Sequence, residues 1–171
     1  DVEKEALLVM TRALEYLGDS FAIYGFSGHG REHVEVSRIK DFGERSHPKI
    51  LRRIAGIRPR QSTRMGAAIR HATWRLSREE ARYKSLILIS DGYPQDMDYG
   101  LDRRDETYAL LDTRAALTES EQAGIHPFCV TIDRAGYDYL GKMVPHEAYL
   151  VIDEVLELPK LLPKIYRRIT W

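Results

Sequence analysis

Apolar residues recur every three or four positions in several parts of the chain, the spacing that places them on one face of an α-helix. The clearest pattern opens the chain, and Gly18 is positioned to end that helix. Further helices are predicted at "PKILRRIAGI" and over 105–124, with a short helix or turn at "GYDYLGKM". Pro163 lies within the last helical pattern and predicts a later start for that helix. The apolar positions of the three clearest patterns are Val2, Ala6, Met10, Ala13, Leu14 and Leu17; Met65, Ala68, Ile69, Ala72 and Leu76; and Leu158, Leu161, Leu162, Ile165 and Ile169.

Short apolar segments between these helices are typical of β-strands. "FAIYGF" and "HVEVSRIKDF" are joined by the six-residue link "SGHGRE", which predicts an antiparallel pair. "KSLILIS" is apolar throughout, as expected of a parallel strand that helices cover on both faces, and "IHPFCVTID" and "EAYLVI" follow it as further strands. We therefore expect a single domain over residues 1–171 with a Rossmann-like α/β fold: a mostly parallel sheet, one antiparallel edge strand and helices on both faces.

The composition is that of an ordinary globular domain, with 43% hydrophobic and 30% charged residues. Lys plus Arg and Asp plus Glu are balanced at 26 each, so net charge indicates no partner. No apolar run approaches the length of a membrane span, and the N-terminus has no signal-peptide pattern. The single Cys129 lies in the apolar stretch "HPFCV" and can form no internal disulfide, so we expect a buried thiol and a cytoplasmic protein.

The balanced total hides an uneven distribution of charge. From Arg45 to Arg78 there are ten Lys or Arg and no acid, whereas from Asp91 to Glu106 there are six acids and two arginines. Basic helix faces opposite an acidic loop would explain this pattern, and so would a docking surface with opposite poles. A nucleic-acid surface over 45–78 is a third explanation, which the neutral total and the lack of aromatic residues before Trp74 disfavour.

Candidate chemistry lies at the end of the most apolar strand. "LILISDGYPQD" places Asp91 at the carboxyl end of that strand, where ligand sites of parallel sheets lie. Thr63 lies just ahead of the helix that precedes the strand. A simpler role exists for both residues, because Asp91 is suited to cap a turn and Ser62 or Thr63 to cap the helix.

Taken together, "STRMG" and "LISDG" resemble two of the three elements of the metal-ion-dependent adhesion site in von Willebrand factor A (VWA) domains. The resemblance implies that Thr63 and Asp91 are ligands of Mg²⁺ or Mn²⁺, an ion that would accept a carboxylate from another molecule at its open position. The third element, D-x-S-x-S, is absent, and in the family it follows a first central strand. We therefore expect a C-terminal fragment of a longer protein that lacks this strand and, with an incomplete site, holds metal poorly or not at all.

A closer resemblance covers most of the chain. "GDSFAIYGFSGHGREHVEVSRIKDF", "STRMGAAIRHA", "GIHPFCVTID" and the tail "YLVIDEVLELPKLLPKIYRRIT" are similar to the C-terminal VWA domain of NorD- and CbbO-type proteins. The resemblance implies a non-catalytic adaptor that works with a MoxR-type AAA+ ATPase to activate a client enzyme, nitric oxide reductase or rubisco. For partner binding at the rim of the site we predict Asp96 and Asp98 from the acidic loop and Arg60 and Arg64 from the basic region.

An enzymatic alternative rests on weaker patterns. "GFSGHG" matches neither a dinucleotide-binding motif nor a nucleophile elbow. Ser27, Asp133 and His146 occur in the order of an α/β-hydrolase triad, but their spacing does not select them, and Asp133 is equally suited to cap the turn "DRAGYD". The six histidines show no zinc-type spacing, and the acidic loop does not match a calcium-binding loop.

Overall fold

The computed structural model describes residues 2–45, 48–58, 63–90, 92–96, 98–99, 107–133, 135–154 and 157–170. It confirms the predicted alternation of helices and strands. The C-terminal helix starts at Leu158 and contains Pro163, so the delayed start predicted from that proline is wrong. In chain order the elements are α1 (Val2–Leu17), β1 (Ile23–Gly28), β2 (Val34–Lys40), α2 (Pro48–Ala55), α3 (Met65–Ser77), β3 (Ser85–Ser90), α4 (Thr107–Gln122), β4 (His126–Thr131), α5 (Gly136–Met143), a 3₁₀ turn (His146–Ala148), β5 (Tyr149–Val151) and α6 (Leu158–Thr170).

The strands form two sheets. β1 and β2 pair antiparallel, as their short link predicts, with Ser27 opposite Glu35. β3, β4 and β5 form a parallel sheet in that order, with Ser90 beside Thr131. Within the described residues no strand hydrogen bonds join the two sheets. The expected single sheet is thus divided into two among the described residues, and β1 is not paired with β3.

Helices cover both faces of the parallel sheet. Alternate residues of a strand point to opposite faces, and those of β3 divide between two apolar clusters. Leu86 and Leu88 pack with α3, α4 and α5, whereas Ile87 and Ile89 pack with α1 and α6. The helical layers on both faces of the expected α/β fold are therefore confirmed.

The same helices also connect the two sheets. On one face, α1 contributes Met10 to the cluster on the parallel sheet and Leu7 to a third cluster, formed with β1, β2 and α2. On the other face, Phe26 of β1 packs against the cluster that contains Met65 of α3 and Leu88 of β3. β1 and β3 are thus held in one layered structure by helix packing on both faces rather than by a shared hydrogen-bond ladder.

No helix in the described part of the chain combines the length and apolar character needed to cross a membrane. Cys129 is 2% exposed, as its apolar surroundings predict. Burial raises the pKa of its thiol to about 12.

Candidate functional site

Thr63 lies beside the loop that follows β3. Its main-chain N–H donates to the carbonyl oxygen of Gln95 at 2.9 Å, and its carbonyl oxygen accepts the N–H of Met65 at 3.0 Å. Asp91, the other predicted ligand, and Arg60 lie outside the described residues. The structure therefore places one predicted ligand next to the loop that carries the other.

The cap predicted for α3 at Thr63 is wrong, and the alternative cap, Ser62, lies outside the described residues. The N-cap residue is Arg64, and its side chain makes no capping hydrogen bond. The Thr63 hydroxyl has no hydrogen-bond partner among the described residues. A partly buried hydroxyl at this position is therefore not explained by helix capping.

The described residues form only part of a metal site. They contain no group of three or more His, Cys, Asp or Glu side chains able to hold an ion. A threonine hydroxyl is nevertheless an oxygen donor of the kind that Mg²⁺ accepts. Thr63 fits such an ion as one ligand of a set completed from elsewhere, and its metal role stays a prediction.

Three of the predicted partner-binding residues lie close together and form ion pairs with one another. Arg64 Nε donates to Asp96 Oδ2 at 2.8 Å, and Arg64 Nη2 donates to Asp98 Oδ1. The Arg64 side chain is 11% exposed, the Asp96 side chain is fully buried and the Asp98 side chain is 41% exposed. The guanidinium also lies over the ring of Tyr99, 4.3 Å from its centroid. We call Arg64, Asp96 and Asp98 the Arg64 cluster.

The Arg64 cluster also holds the turn between β1 and β2, residues 29–33. The N–H of Gly30 donates to Asp96 Oδ1 at 3.0 Å, and the N–H of Arg31 donates to Asp98 Oδ2 at 2.9 Å. Gly30 has a φ of +73°, and a Cβ at this position would lie 3.2 Å from Asp98 Oδ2. Glycine therefore suits both the backbone conformation and the close approach of the carboxylate.

A second polar network continues from Tyr99, and sequence reasoning did not find it. The Tyr99 hydroxyl donates to Asp112 Oδ2 and accepts the N–H of Gly66 at 3.3 Å. Burial, together with the hydrogen bond to Asp112, raises the pKa of Tyr99 above its ordinary value. Arg70 joins Asp112 at 2.8 Å to Glu119 at 2.7 Å. The residues of this network lie far apart in sequence, so no local motif could have indicated them.

Four of the ten basic residues of region 45–78 form ion pairs with acids inside the described part of the domain. Arg53 lies 3.5 Å from Glu44, and Arg75 lies 2.7 Å from Asp41. Arg64 and Arg70 have the acidic partners described above. Ion pairing within the fold, which none of the three explanations for the charge pattern had included, therefore accounts for part of it.

The residues of the hypothetical hydrolase triad have separate roles. Asp133 Oδ1 accepts the N–H of Ala135 at 3.0 Å, which is the turn cap predicted for it. His146 packs edge to face against Tyr149, with ring centroids 5.4 Å apart. Among the described residues, Ser27, Asp133 and His146 make no hydrogen bond with one another. The geometry gives the triad no support.

Comparisons with known proteins agree with the fold and the motifs. The model of the von Willebrand factor type A domain matches residues 3–162. The chain is 41% identical over 167 residues to a protein named NorD from Brucella melitensis, a match covering 98% of this chain and 26% of the relative. It is 40% identical over 154 residues to Protein NorD of Stutzerimonas stutzeri, covering 90% of this chain and 24% of that protein. The chain thus spans about a quarter of the length of these relatives.

A solved structure shows the same fold at low sequence identity. Proximal thread matrix protein 1 from the mussel byssus superimposes with a TM-score of 0.66 and 16% identity, over 98% of this chain and 41% of that one. The two sheets with their helical layers agree with the family match, which covers most of the chain: the chain belongs to the von Willebrand factor type A domain family.

Proposed function

We propose that this domain is the protein-binding module of a NorD-type adaptor, which works with a MoxR-type AAA+ ATPase to activate a client enzyme of the nitric oxide reductase or rubisco type. The domain would bind an acidic residue of the partner through a magnesium-dependent adhesion site, while the ATPase supplies the work. Support comes from the family match and from relatives named NorD that are similar over nearly the whole chain.

The observation that carries the proposal is the hydrogen bonding of Thr63. Its hydroxyl has no partner among the described residues and does not cap α3, while its main chain is tied to the loop after β3. Mg²⁺ prefers oxygen ligands, and a neutral hydroxyl leaves the charge of the ion available to an incoming carboxylate. Thr63 and Asp91 would hold the ion, which when bound supplies an open coordination position.

The divided sheet supports a site completed by another segment. α1 and α3 pack against both sheets, so the space between β1 and β3 has helices on either face. A central strand there would pair with the free edges of β1 and β3, and unpaired edges are otherwise a liability. We propose that this strand carries the D-x-S-x-S element and the remaining ligands.

The test is Mg²⁺ binding, measured by calorimetry on the full-length protein and on Thr63→Ala and Asp91→Ala variants. We expect binding by the parent protein and its loss in both variants. Thr118→Ala is the matched control, because Thr118 is an exposed threonine of α4 whose hydroxyl bonds to the Arg114 carbonyl at 3.0 Å. Capture of the purified ATPase by the same variants, with and without EDTA, tests the partner. Unchanged Mg²⁺ affinity in Thr63→Ala would contradict the proposal.

Nucleic-acid binding is the weaker alternative. Phosphate contacts need cationic side chains that are free to reach the backbone, and Arg53, Arg64, Arg70 and Arg75 are engaged with acids of the same domain. A titration of labelled duplex DNA at low salt compares the two: strong, salt-dependent binding would favour the alternative.

A further inference from the structure

The Arg64 cluster connects three segments at the candidate site. Arg64 directly follows Thr63, Asp96 and Asp98 lie in the loop after β3, and their carboxylates accept main-chain N–H groups of the β1–β2 turn. We propose that this turn is part of the partner-binding surface around Thr63, that Arg31 on the turn contacts the same acidic partner segment, and that Arg64 is the positioning residue that holds the turn in place. The inference rests on the proposed function.

Burial separates the residues that hold the turn from those that can contact a partner. The whole Arg64 residue is 9% exposed and the Asp96 side chain is fully buried, so neither offers much surface to another protein. The turn side chains His29, Arg31, Glu32 and His33 are exposed, and that of Arg31 is 74% exposed. The cluster therefore acts on a partner through the turn that it positions.

In the described part of the chain, this cluster attaches the turn directly to the loop after β3. The turn is closed internally by the His29 N–H, which donates to the His33 carbonyl at 2.9 Å. The sheet that carries it has no strand hydrogen bonds to the parallel sheet within the described residues. The carboxylates of Asp96 and Asp98 fix two consecutive main-chain N–H groups of the turn. Loss of Arg64 would leave these two carboxylates close together without their shared cation, which weakens the attachment.

Arg31 makes this surface favour a negatively charged partner segment. Its guanidinium Nε lies 3.9 Å from Asp98 Oδ2, in an exposed pair that is worth little by itself. In the proposed function the partner brings a carboxylate to the ion at Thr63, and an exposed cation nearby complements that negative charge. The partner segment that fits is therefore acidic at more than one position, with a second carboxylate able to reach Arg31.

A double-mutant cycle in the full-length protein tests the coupling, with the purified MoxR-type ATPase as the binding probe. Arg31→Ala should weaken binding about 2- to 5-fold at low salt and less at high salt, the range for an exposed ion pair. Arg64→Met should weaken binding at least as much, and Arg31→Ala should then have little further effect. Arg12→Ala, which removes an exposed arginine of α1, the helix on the sheet face opposite to α3, should leave affinity unchanged.

Hydrogen exchange supplies a readout of the attachment itself. The amides of Gly30 and Arg31 should be protected in the parent protein and in Arg31→Ala, which keeps the main-chain donor, and should exchange faster in Arg64→Met. Arg64→Lys should fall between, because an ammonium group cannot bridge two carboxylates as a planar guanidinium does. This milder variant keeps the test decisive if Arg64→Met fails to fold.

The outcomes distinguish the two proposals. If Thr63→Ala binds the ATPase normally, the adhesion-site proposal fails. If Thr63→Ala loses ATPase binding but Arg31→Ala leaves the affinity unchanged, only the assignment of the turn is overturned. The same holds if Arg31→Ala lowers the affinity equally in the parent protein and in Arg64→Met. Unchanged protection of Gly30 and Arg31 in a folded Arg64→Met protein would likewise overturn the role of Arg64.

Discussion

Replacement of Gly66 by alanine should destabilise the domain, although alanine is the better helix former. Gly66 lies in the first turn of α3 beneath the Asp112 side chain of α4. A Cβ there would overlap Asp112 Oδ2 and lie 2.7 Å from its Cγ and 3.1 Å from Arg70 Nη1. Asp112 must rotate away, which breaks its contacts with Tyr99 and Arg70.

The magnitude follows from the two lost contacts. Tyr99 is 5% exposed, and a buried hydroxyl deprived of its acceptor costs about 1–3 kcal/mol. The Arg70–Asp112 pair is partly exposed, with side chains 39% and 21% accessible, so its loss adds about 0.2–1 kcal/mol. Helix propensity returns at most about 1 kcal/mol. The net expectation is a loss of about 0.2–4 kcal/mol in the free energy of unfolding.

Gly141→Ala is the matched control, because Gly141 lies inside α5, where a Cβ would meet no described atom within 4 Å except the Tyr149 hydroxyl, at 3.6 Å. That is an ordinary contact distance, so the control should gain about 0.5–1 kcal/mol in stability. Urea denaturation followed by circular dichroism measures both variants. Opposite signs support the reasoning, whereas Gly66→Ala that is as stable as the parent or more so would refute the packing of Gly66 against Asp112.

Two further predictions concern titratable groups. Cys129, whose pKa burial raises to about 12, should resist a thiol reagent at pH 8 in the folded protein and react after denaturation; fast labelling of the native protein would contradict its burial. Burial raises the pKa of Asp41, but hydrogen bonds from Arg75, the Phe42 N–H and Tyr24 outweigh it and lower the pKa below the ordinary aspartate value. The stabilisation is therefore present above about pH 4 and is lost as pH falls through the folded pKa, so melting temperatures over pH 2–5 should depend less on pH in Asp41→Asn.

Local patterns determined the elements of this fold. A helix is recognised from its own residues, because burial of one face imposes a spacing of three and four, and α1, α3 and α6 lie where that spacing predicts. The link between β1 and β2 is short, which predicted the antiparallel pairing that the structure shows. The division into two sheets was not predicted: the sequence analysis expected one mostly parallel sheet, and only the structure shows that β1 and β3 are not paired.

The tertiary structure decided which polar groups are available. Charge counts along the sequence marked Arg64, Asp96 and Asp98 as surface groups for a partner, but they pair with one another across more than thirty residues of sequence and two of them are buried. The sequence also allowed Thr63 to cap α3, and the helix begins one residue later. A pattern of charges contains no information about partners that the folded chain brings within 3 Å. Local spacing therefore predicts secondary structure. Whether a charged group or hydroxyl has an ion-pair or hydrogen-bond partner depends on which distant loops lie next to each other in the fold.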